Sequence, residues 1–295
     1  MTLFCADPTE IRRARPLLGT IVEITAEGCQ ESVLTAAVDV AFAAVDKVQR
    51  LMSYHDATSE LSQLNRAAHL GAILVSPWTF AVLRVAQRLA AESDGVFDVT
   101  IAPQLAAWRY LPQISTTRSD ELQANWRDVE LRSDRQVFFR RPLHIDLGGI
   151  AKGFAVDRAV EALLRCGVSS GLVNAGGDLR AFGPRDWPVQ IRCPHDGQPG
   201  GHTFAVCAAA VATSATYFSR KKWRQGWVSP LVDGTTRQAC EGSFSVSVYA
   251  PTALLADALT KIVVVRREHA ASILQRYDAS ALLLDGIGRR QFVAV

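Results

Sequence analysis

Residues 144–157 read His144-Ile-Asp-Leu-Gly-Gly-Ile-Ala-Lys-Gly-Phe-Ala-Val-Asp157, and this stretch carries the strongest structural signal in the chain. It predicts a strand that ends at Asp146, a turn through Gly148 and Gly149, and a helix that begins directly afterwards. Such a turn points main-chain N–H groups outward, and the positive end of the helix dipole adds to them. The pattern fits a cradle for a phosphate-bearing nucleotide, and a tight turn with an aspartate cap explains it equally well.

The segments on either side alternate between helical and strand patterns without a regular βαβ period. Apolar periodicity and caps predict further helices at 32–52 and 77–93, the first with a buried stripe through Val33, Val40 and Val48, and at 251–265 either a helix or a helix that runs into a strand. Strands are predicted at 18–24, 137–139, 143–146, 171–174, 179–182 and 244–250, with a hairpin over 281–295. This mixture predicts an α+β fold, and the absence of a linker predicts a single domain over residues 1–295.

Composition narrows the class of protein. The chain has 295 residues, of which 48% are hydrophobic and 21% charged, so disordered and fibrous classes are excluded. The net charge of +3 is too small and too scattered to predict a nucleic-acid partner.

No apolar stretch reaches the roughly 20 residues of a membrane span, and the first residues lack a signal-peptide pattern, which predicts a cytoplasmic protein without a membrane partner. The six cysteines form no C-x-x-C pair, so free thiols are expected.

Three further patterns could carry chemistry, and each has a plain structural alternative. Asn174-Ala-Gly-Gly-Asp178 places an acid beside a second glycine pair, which a hairpin turn explains as well. Asp257 and Lys261 are four residues apart and share a helix face, as an exposed ion pair would. In the loop that contains Phe97, the ring could contact a flat ligand, although core packing is the commoner role.

Taken together and in order, these stretches resemble the ApbE-type FAD:protein FMN transferase family over nearly the full chain. The matching motifs are Pro16-Leu-Leu-Gly-Thr20, Met52-Ser-Tyr54, Ser59-Glu-Leu-Ser-Gln-Leu-Asn65, Asp94-Gly-Val-Phe-Asp-Val-Thr100, Ile145-Asp-Leu-Gly-Gly-Ile-Ala-Lys-Gly153, Val173-Asn-Ala-Gly-Gly-Asp178, Ala212-Thr-Ser214 and residues 247–260. One such motif is weak evidence, whereas this many in order are highly specific.

The resemblance implies an ApbE-like α+β fold with mixed or antiparallel sheets and two interleaved lobes around a ligand cleft. It implies FAD as substrate, a bound Mg²⁺, and transfer of FMN to a threonine or serine of an acceptor protein with release of AMP. By matching positions, it places FAD contacts at Leu18, Tyr54, Val96, Phe97, Asp98, Asp146 and Lys152. It likewise places ion ligands at the Gly149 carbonyl, Asp257 and position 261, and a catalytic role at Asp233.

The chain departs from the family pattern at three positions. Lys261 stands where the family has a threonine ligand, Pro230 where it has a histidine, and Ala215 where it has a glycine. Proline can act neither as an acid nor as a base, and a lysine ammonium would repel or replace a divalent ion. Two alternatives to transfer therefore stay open: a catalytically impaired FAD-binding protein, and an FAD pyrophosphatase that uses water as the acceptor.

Overall fold

The computed structural model describes residues 9–113, 123–191, 203–224, 226–287 and 289–294. Its strands, in chain order, are β1 Thr9–Leu17, β2 Thr20–Gly28, β3 Ile73–Leu74, β4 Val129–Leu131, β5 Gln136–Phe139, β6 Ser170–Ala175, β7 Asp178–Phe182, β8 Trp187–Gln190, β9 Thr203–Val206, β10 Ala210–Ala215, β11 Lys221–Trp223, β12 Gly226–Val228, β13 Phe244–Ala250, β14 Ser280–Asp285 and β15 Arg290–Val293. Its α-helices are α1 Glu31–Met52, α2 Glu60–Ala67, α3 Pro77–Glu92, α4 Ala102–Ala107, α5 Ala151–Arg165, α6 Thr216–Ser219, α7 Ala253–Arg266 and α8 Ala271–Arg276.

One large antiparallel sheet organises these elements. Its eight strands run in the order β1-β2-β6-β7-β10-β13-β14-β15, and every neighbouring pair is antiparallel. Helix α5 packs against α1 and α7, and α7 packs against β10 and β13, which buries the main core between the helices and the sheet. A small sheet of order β3-β5-β4 completes an α+β architecture, as predicted.

Local signals placed several elements correctly. Helix α3 begins where the Ser76-Pro77 pair predicts, because the Ser76 hydroxyl accepts the N–H of Thr79 at 3.1 Å and proline fits the first turn. Strands β6 and β7 form the predicted hairpin, in which Gly176 and Gly177 both have positive φ, as a two-residue turn of this kind requires. The predicted strand at 143–146 is wrong, since this stretch belongs to no strand and pairs with none in the described part of the chain.

The face that α1 buries differs from the predicted stripe. Val33 and Val40 are 46% and 49% exposed, whereas Leu34, Val38 and Val45 are buried and Val48 is buried as predicted. Apolar residues cover more than one face of this helix, so periodicity alone does not select the face. Packing against α5 and β1 selects it instead.

The structure bears on two further expectations, one about membrane-spanning segments and one about free thiols. Within the described ranges, no helix is both long and apolar enough to span a bilayer. Cys166, Cys207 and Cys240 are free thiols, as expected, but Cys29 is disulfide-bonded, so the expectation was wrong for that residue. Cys5 and Cys193 lie outside the described residues.

Candidate active site

A cleft of about 860 Å³ opens beside the end of α1 and the start of α5. Its walls come from segments far apart in the chain, which are the β1–β2 turn, residues 48–55, residues 96–111, residues 146–152, residues 213–219, residues 230–232 and Lys261. The predicted residues that line it are Leu18, Tyr54, Val96, Phe97, Asp98, Asp146, Gly149, Lys152 and Lys261. The fold therefore collects in one cavity nearly all the positions that the resemblance picked out.

The β1–β2 turn contributes a fixed apolar edge of the cleft. Leu18 has a φ of +57°, which is uncommon for a residue with a side chain, and Gly19 follows with a φ of +69°. The Leu18 N–H donates to the Gln49 side chain at 2.5 Å, so the turn is tied to the last part of α1. This tie holds the Leu18 side chain at the cleft.

The Asp146 turn forms the wall before α5. Its carboxylate accepts the N–H of Gly148 at 3.1 Å, and its own N–H donates to the Val99 carbonyl at 2.8 Å. Burial raises the pKa of Asp146 above its ordinary value, and the hydrogen bond from Gly148 and the nearby His55 oppose this shift. The turn therefore presents the carboxyl group of Asp146 to the cleft.

Two lysines that line the cleft, Lys152 and Lys261, each pair with a buried aspartate behind them, Asp178 and Asp257; these four residues are called the floor of the cleft. Lys152, in the first turn of α5, forms an ion pair with Asp178 at the start of β7. Lys261, on α7, forms an ion pair with Asp257 one turn earlier and donates to the Asp257 main-chain carbonyl at 3.0 Å. The second carboxylate oxygen of Asp257 accepts the Gly153 N–H at 3.1 Å. The exposed ion pair considered for Asp257 and Lys261 is thus excluded, because Asp257 is fully buried.

Burial and neighbouring charges shift the pKa values of Lys152 and Asp257 in opposite directions. Burial would lower the pKa of Lys152, but the charges of Asp178 and Asp257 outweigh it and raise that pKa. Burial would likewise raise the pKa of Asp257, but Lys261 and Lys152 outweigh it, so the pKa of Asp257 is lowered. Burial and the neighbouring Asp257 raise the pKa of Asp178. Lys152 is therefore cationic at neutral pH, as a site for a phosphate-bearing ligand requires.

A further aspartate, Asp157, holds together α5 and α7, the helices that carry Lys152 and Lys261. Asp157, buried on α5, accepts the N–H groups of Ala253 and Leu254 at 3.0 and 2.9 Å and so caps α7. It also pairs with Arg180 of β7 at 2.8 Å. Gly153 lets the helices approach, since a Cβ there would lie 2.1 Å from the Ala253 carbonyl oxygen. These contacts fix the position of Asp257 relative to Lys152.

The loop at 94–100 lines the cleft with apolar side chains. Val96 and Phe97 line the cleft and also belong to the main core, so core packing of Phe97 is confirmed and its contact with a flat ligand stays a prediction. The Asp98 carboxylate instead accepts the N–H groups of Thr100 at 2.8 Å and Trp126 at 3.2 Å, and pairs with Arg237 at 2.9 Å. Its oxygen atoms are already occupied by donors of the protein.

The predicted catalytic residue is not brought together with the others. Asp233 is absent from the cleft lining, and its carboxylate accepts the N–H and hydroxyl of Thr235 at 2.8 and 2.7 Å within a surface turn. Pro230, Leu231 and Val232 reach the cleft wall instead. The position where the family has a histidine therefore lies at the cleft and carries no titratable group.

Sequence reasoning assigned no ligand role to several residues that the fold brings to the site. Thr213 and Ser214, at the end of β10, line the cleft, and the Ser214 hydroxyl contacts that of the buried Thr260 at 2.7 Å. Asp178 was part of a noted glycine motif, but its pairing with Lys152 spans 26 residues and has no local signature. The glycine pair beside an acid was the signal that could have identified it.

Comparisons with known proteins agree with this geometry. The profile of the ApbE family matches residues 18–283. An FAD:protein FMN transferase of Treponema pallidum (strain Nichols) is 26% identical over 91% of this chain and 82% of its own length. An FAD:protein FMN transferase of Rhodobacter capsulatus is 28% identical over 85% of this chain, which spans half of that relative's length. The crystal structure of the ApbE protein of Thermotoga maritima superposes with a TM-score of 0.86 at 23% identity, over 97% of both chains. The chain belongs to the ApbE family.

Proposed function

We propose that this chain is an FAD:protein FMN transferase, which moves FMN from FAD to a threonine or serine hydroxyl of an acceptor protein. The observation that supports this most strongly is the position of Lys152 and Lys261 together at the cleft that the matching motifs line. Curated relatives that the chain matches over most of its length are named for this activity.

In the proposed reaction, the hydroxyl oxygen of the acceptor attacks the phosphorus atom that belongs to the FMN half of FAD. The bond from this phosphorus to the bridging oxygen breaks, AMP leaves with the bonding electron pair, and the hydroxyl proton passes to water. Phosphoryl transfer depends on neutralised phosphate charge and correctly placed oxygen atoms more than on covalent chemistry by the protein. Lys152 and the first turn of α5 supply that charge, and Leu18, Tyr54 and Phe97 line the cavity for the apolar parts of FAD.

The Mg²⁺ that the resemblance implies does not fit the residues of this cleft. The Asp257 carbonyl and one carboxylate oxygen hold the Lys261 ammonium, and the other carboxylate oxygen accepts a main-chain N–H. Among the described residues, no three His, Cys, Asp or Glu side chains form a group that could hold a metal ion. We therefore assign no step of the proposed reaction to a metal.

Pro230 favours a second candidate function, a flavin-binding protein that has lost transfer. The side chain of a proline at the cleft wall cannot accept the hydroxyl proton. This candidate shares the FAD site with the first and differs only in turnover. Pro230→His would then create activity that the unaltered chain lacks.

The deciding experiment combines the purified chain, FAD and candidate acceptor proteins, each tested alone and together. The transferase predicts AMP release only with an acceptor, together with a flavin-fluorescent acceptor band on a denaturing gel and the mass of one FMN on that acceptor. Release of AMP without any acceptor would indicate the pyrophosphatase instead. FAD that copurifies without AMP release would indicate the binding protein.

Three broader expectations stay predictions. One is a single domain over residues 1–295, which the main core cluster supports. A cytoplasmic location is another, and the disulfide at Cys29 counts against it, because disulfides persist mainly in oxidising compartments. Lack of a nucleic-acid or membrane partner is the third.

A further inference from the structure

The floor of the cleft contains its own cation at the position where the resemblance places a divalent ion. The Lys261 ammonium contacts both the main-chain carbonyl and the carboxylate of Asp257, which are the oxygen ligands that a hard cation takes. The stem of Lys261 lies against Gly149, since a Cβ on that glycine would be 3.5 Å from the Lys261 Cε. The ammonium is therefore held between the Asp146 turn and α7.

We propose that the Lys261 ammonium replaces the divalent ion in this protein, so that FAD binds through its pyrophosphate without a metal. This inference rests on the proposed function, because it concerns the same FAD site.

Charge balance on the floor supports this proposal. Asp178 and Asp257 contribute two negative charges, and Lys152 and Lys261 contribute two positive charges, so the floor is neutral. With a threonine at position 261 and no metal, the same floor would carry one net negative charge and repel a pyrophosphate. In a protein with threonine at this position, a divalent ion would neutralise that negative charge, whereas here Lys261 neutralises it.

The geometry of the ammonium supports it too. An ammonium has three N–H donors, and among the described residues Asp257 takes two of them through its carbonyl and its carboxylate. The third remains for an acceptor in the cleft, which Lys261 lines together with Lys152. A metal in this place would have to displace the ammonium from Asp257 and then stay beside it, with two like charges in contact.

The first experiment measures FAD affinity by flavin fluorescence, with the full chain in EDTA and again with millimolar Mg²⁺. For the unaltered protein we expect the two dissociation constants to agree within about twofold. For Lys261→Thr we expect affinity in EDTA to fall by about tenfold or more, and Mg²⁺ to restore it. For Lys261→Met, which offers no oxygen ligand, we expect the loss in both buffers.

The second experiment observes the ion directly, by the electron paramagnetic resonance signal of free Mn²⁺ in the presence of FAD. The unaltered protein is expected to leave this signal at the intensity of FAD alone, whereas Lys261→Thr is expected to reduce it. Lys222→Thr is the matched control, because Lys222 is exposed on strand β11 away from the cleft, and it should behave as the unaltered protein does in both experiments. Circular dichroism melting checks that each variant folds.

Several results would overturn the inference. An affinity of the unaltered protein that rises about tenfold or more with Mg²⁺, or Mn²⁺ bound by it stoichiometrically, would show that a metal occupies the site despite Lys261. Since both measurements use the unaltered protein, they decide the question even if a variant misfolds. Failure of FAD to bind in either buffer is a different result, which would refute the proposed function and this inference with it.

Discussion

The Arg237 guanidinium lies 2.9 Å from the Asp98 carboxylate and joins two loops that are 139 residues apart in the chain. The same guanidinium nitrogen donates to the Thr100 hydroxyl at 2.9 Å and to the Ala124 carbonyl at 2.7 Å. The side chains of Asp98 and Arg237 are only 1% and 15% exposed, so water screens the pair weakly. This contact ties the cleft loop that carries Phe97 to the turn that follows Pro230.

Removal of the Arg237 charge should destabilise the fold. We expect Arg237→Met to lower the free energy of unfolding by about 3 kcal/mol, because it leaves the Asp98 carboxylate buried without its partner. Urea denaturation monitored by circular dichroism measures this loss. Burial already raises the pKa of Asp98, so part of the loss should be recovered at acidic pH, where the carboxyl group is protonated.

The control for this prediction is Arg12→Met. Arg12 also pairs with a carboxylate, that of Glu23, but its side chain is 64% exposed, so the change should leave the free energy of unfolding nearly unaltered. Equal losses in the two variants would contradict the role given to the buried pair.

Gly153→Ala should disturb the floor of the cleft. The added Cβ would lie 2.1 Å from the Ala253 carbonyl oxygen and 2.9 Å from the Asp257 Cβ, so α5 and α7 would have to separate. Overpacking of this kind costs about 1–3 kcal/mol, and FAD affinity should fall as Asp257 moves. Thermal melting and flavin fluorescence measure the two effects. Gly71→Ala, where a Cβ meets nothing within 4 Å, should change neither quantity.

Lys152→Met should weaken FAD binding. It removes a cation from the cleft floor, and hydrogen bonds to charged groups contribute about 1.5–3 kcal/mol, which corresponds to roughly tenfold to a hundredfold in affinity. The measurement is a flavin fluorescence titration. The double variant Lys152→Met with Asp178→Asn separates affinity from folding, since it leaves no carboxylate unpaired. If the double variant bound FAD like the unaltered chain, Lys152 would have no direct role.

Cys240 should react slowly with iodoacetamide at pH 8. Burial, followed by the negative charge of Asp233, raises the pKa of this thiol to about 12. Only the thiolate reacts, so at pH 8 almost all of Cys240 is in the unreactive thiol form. The rate of its alkylation should therefore rise with pH until the pH reaches the pKa of the thiol, or until the protein unfolds. Peptide mass spectrometry gives the rate of modification. The same residue in guanidinium chloride is the control, and equal rates in the two conditions would contradict the prediction.

Local patterns were enough to predict a large part of this protein. The Ser76-Pro77 pair located the start of α3, and the glycine pair at 176–177 located the β6–β7 hairpin, because caps and positive-φ turns depend only on neighbouring residues. The ordered motifs also predicted the family, and nearly all of the site positions taken from them line the cleft. Their roles toward FAD stay predictions.

Other features had no local signature. Periodicity in α1 did not distinguish buried Leu34 from exposed Val33, because the packing of α5 and β1 decides which apolar face is covered. Asp233 matched a family motif, yet the turn that holds it directs its carboxylate to Thr235. Cys29 gave no sign of its disulfide.

The sequence by itself determined the elements, the family and the presence of Lys261 four residues after Asp257, since these follow from residue type and spacing. Only the tertiary structure decided what each charge contacts. Asp98 pairs with Arg237, Asp178 with Lys152, and Lys261 occupies the oxygen atoms of Asp257 on a buried floor. The physical reason is that desolvation and ion pairing depend on groups that folding brings together from distant parts of the chain.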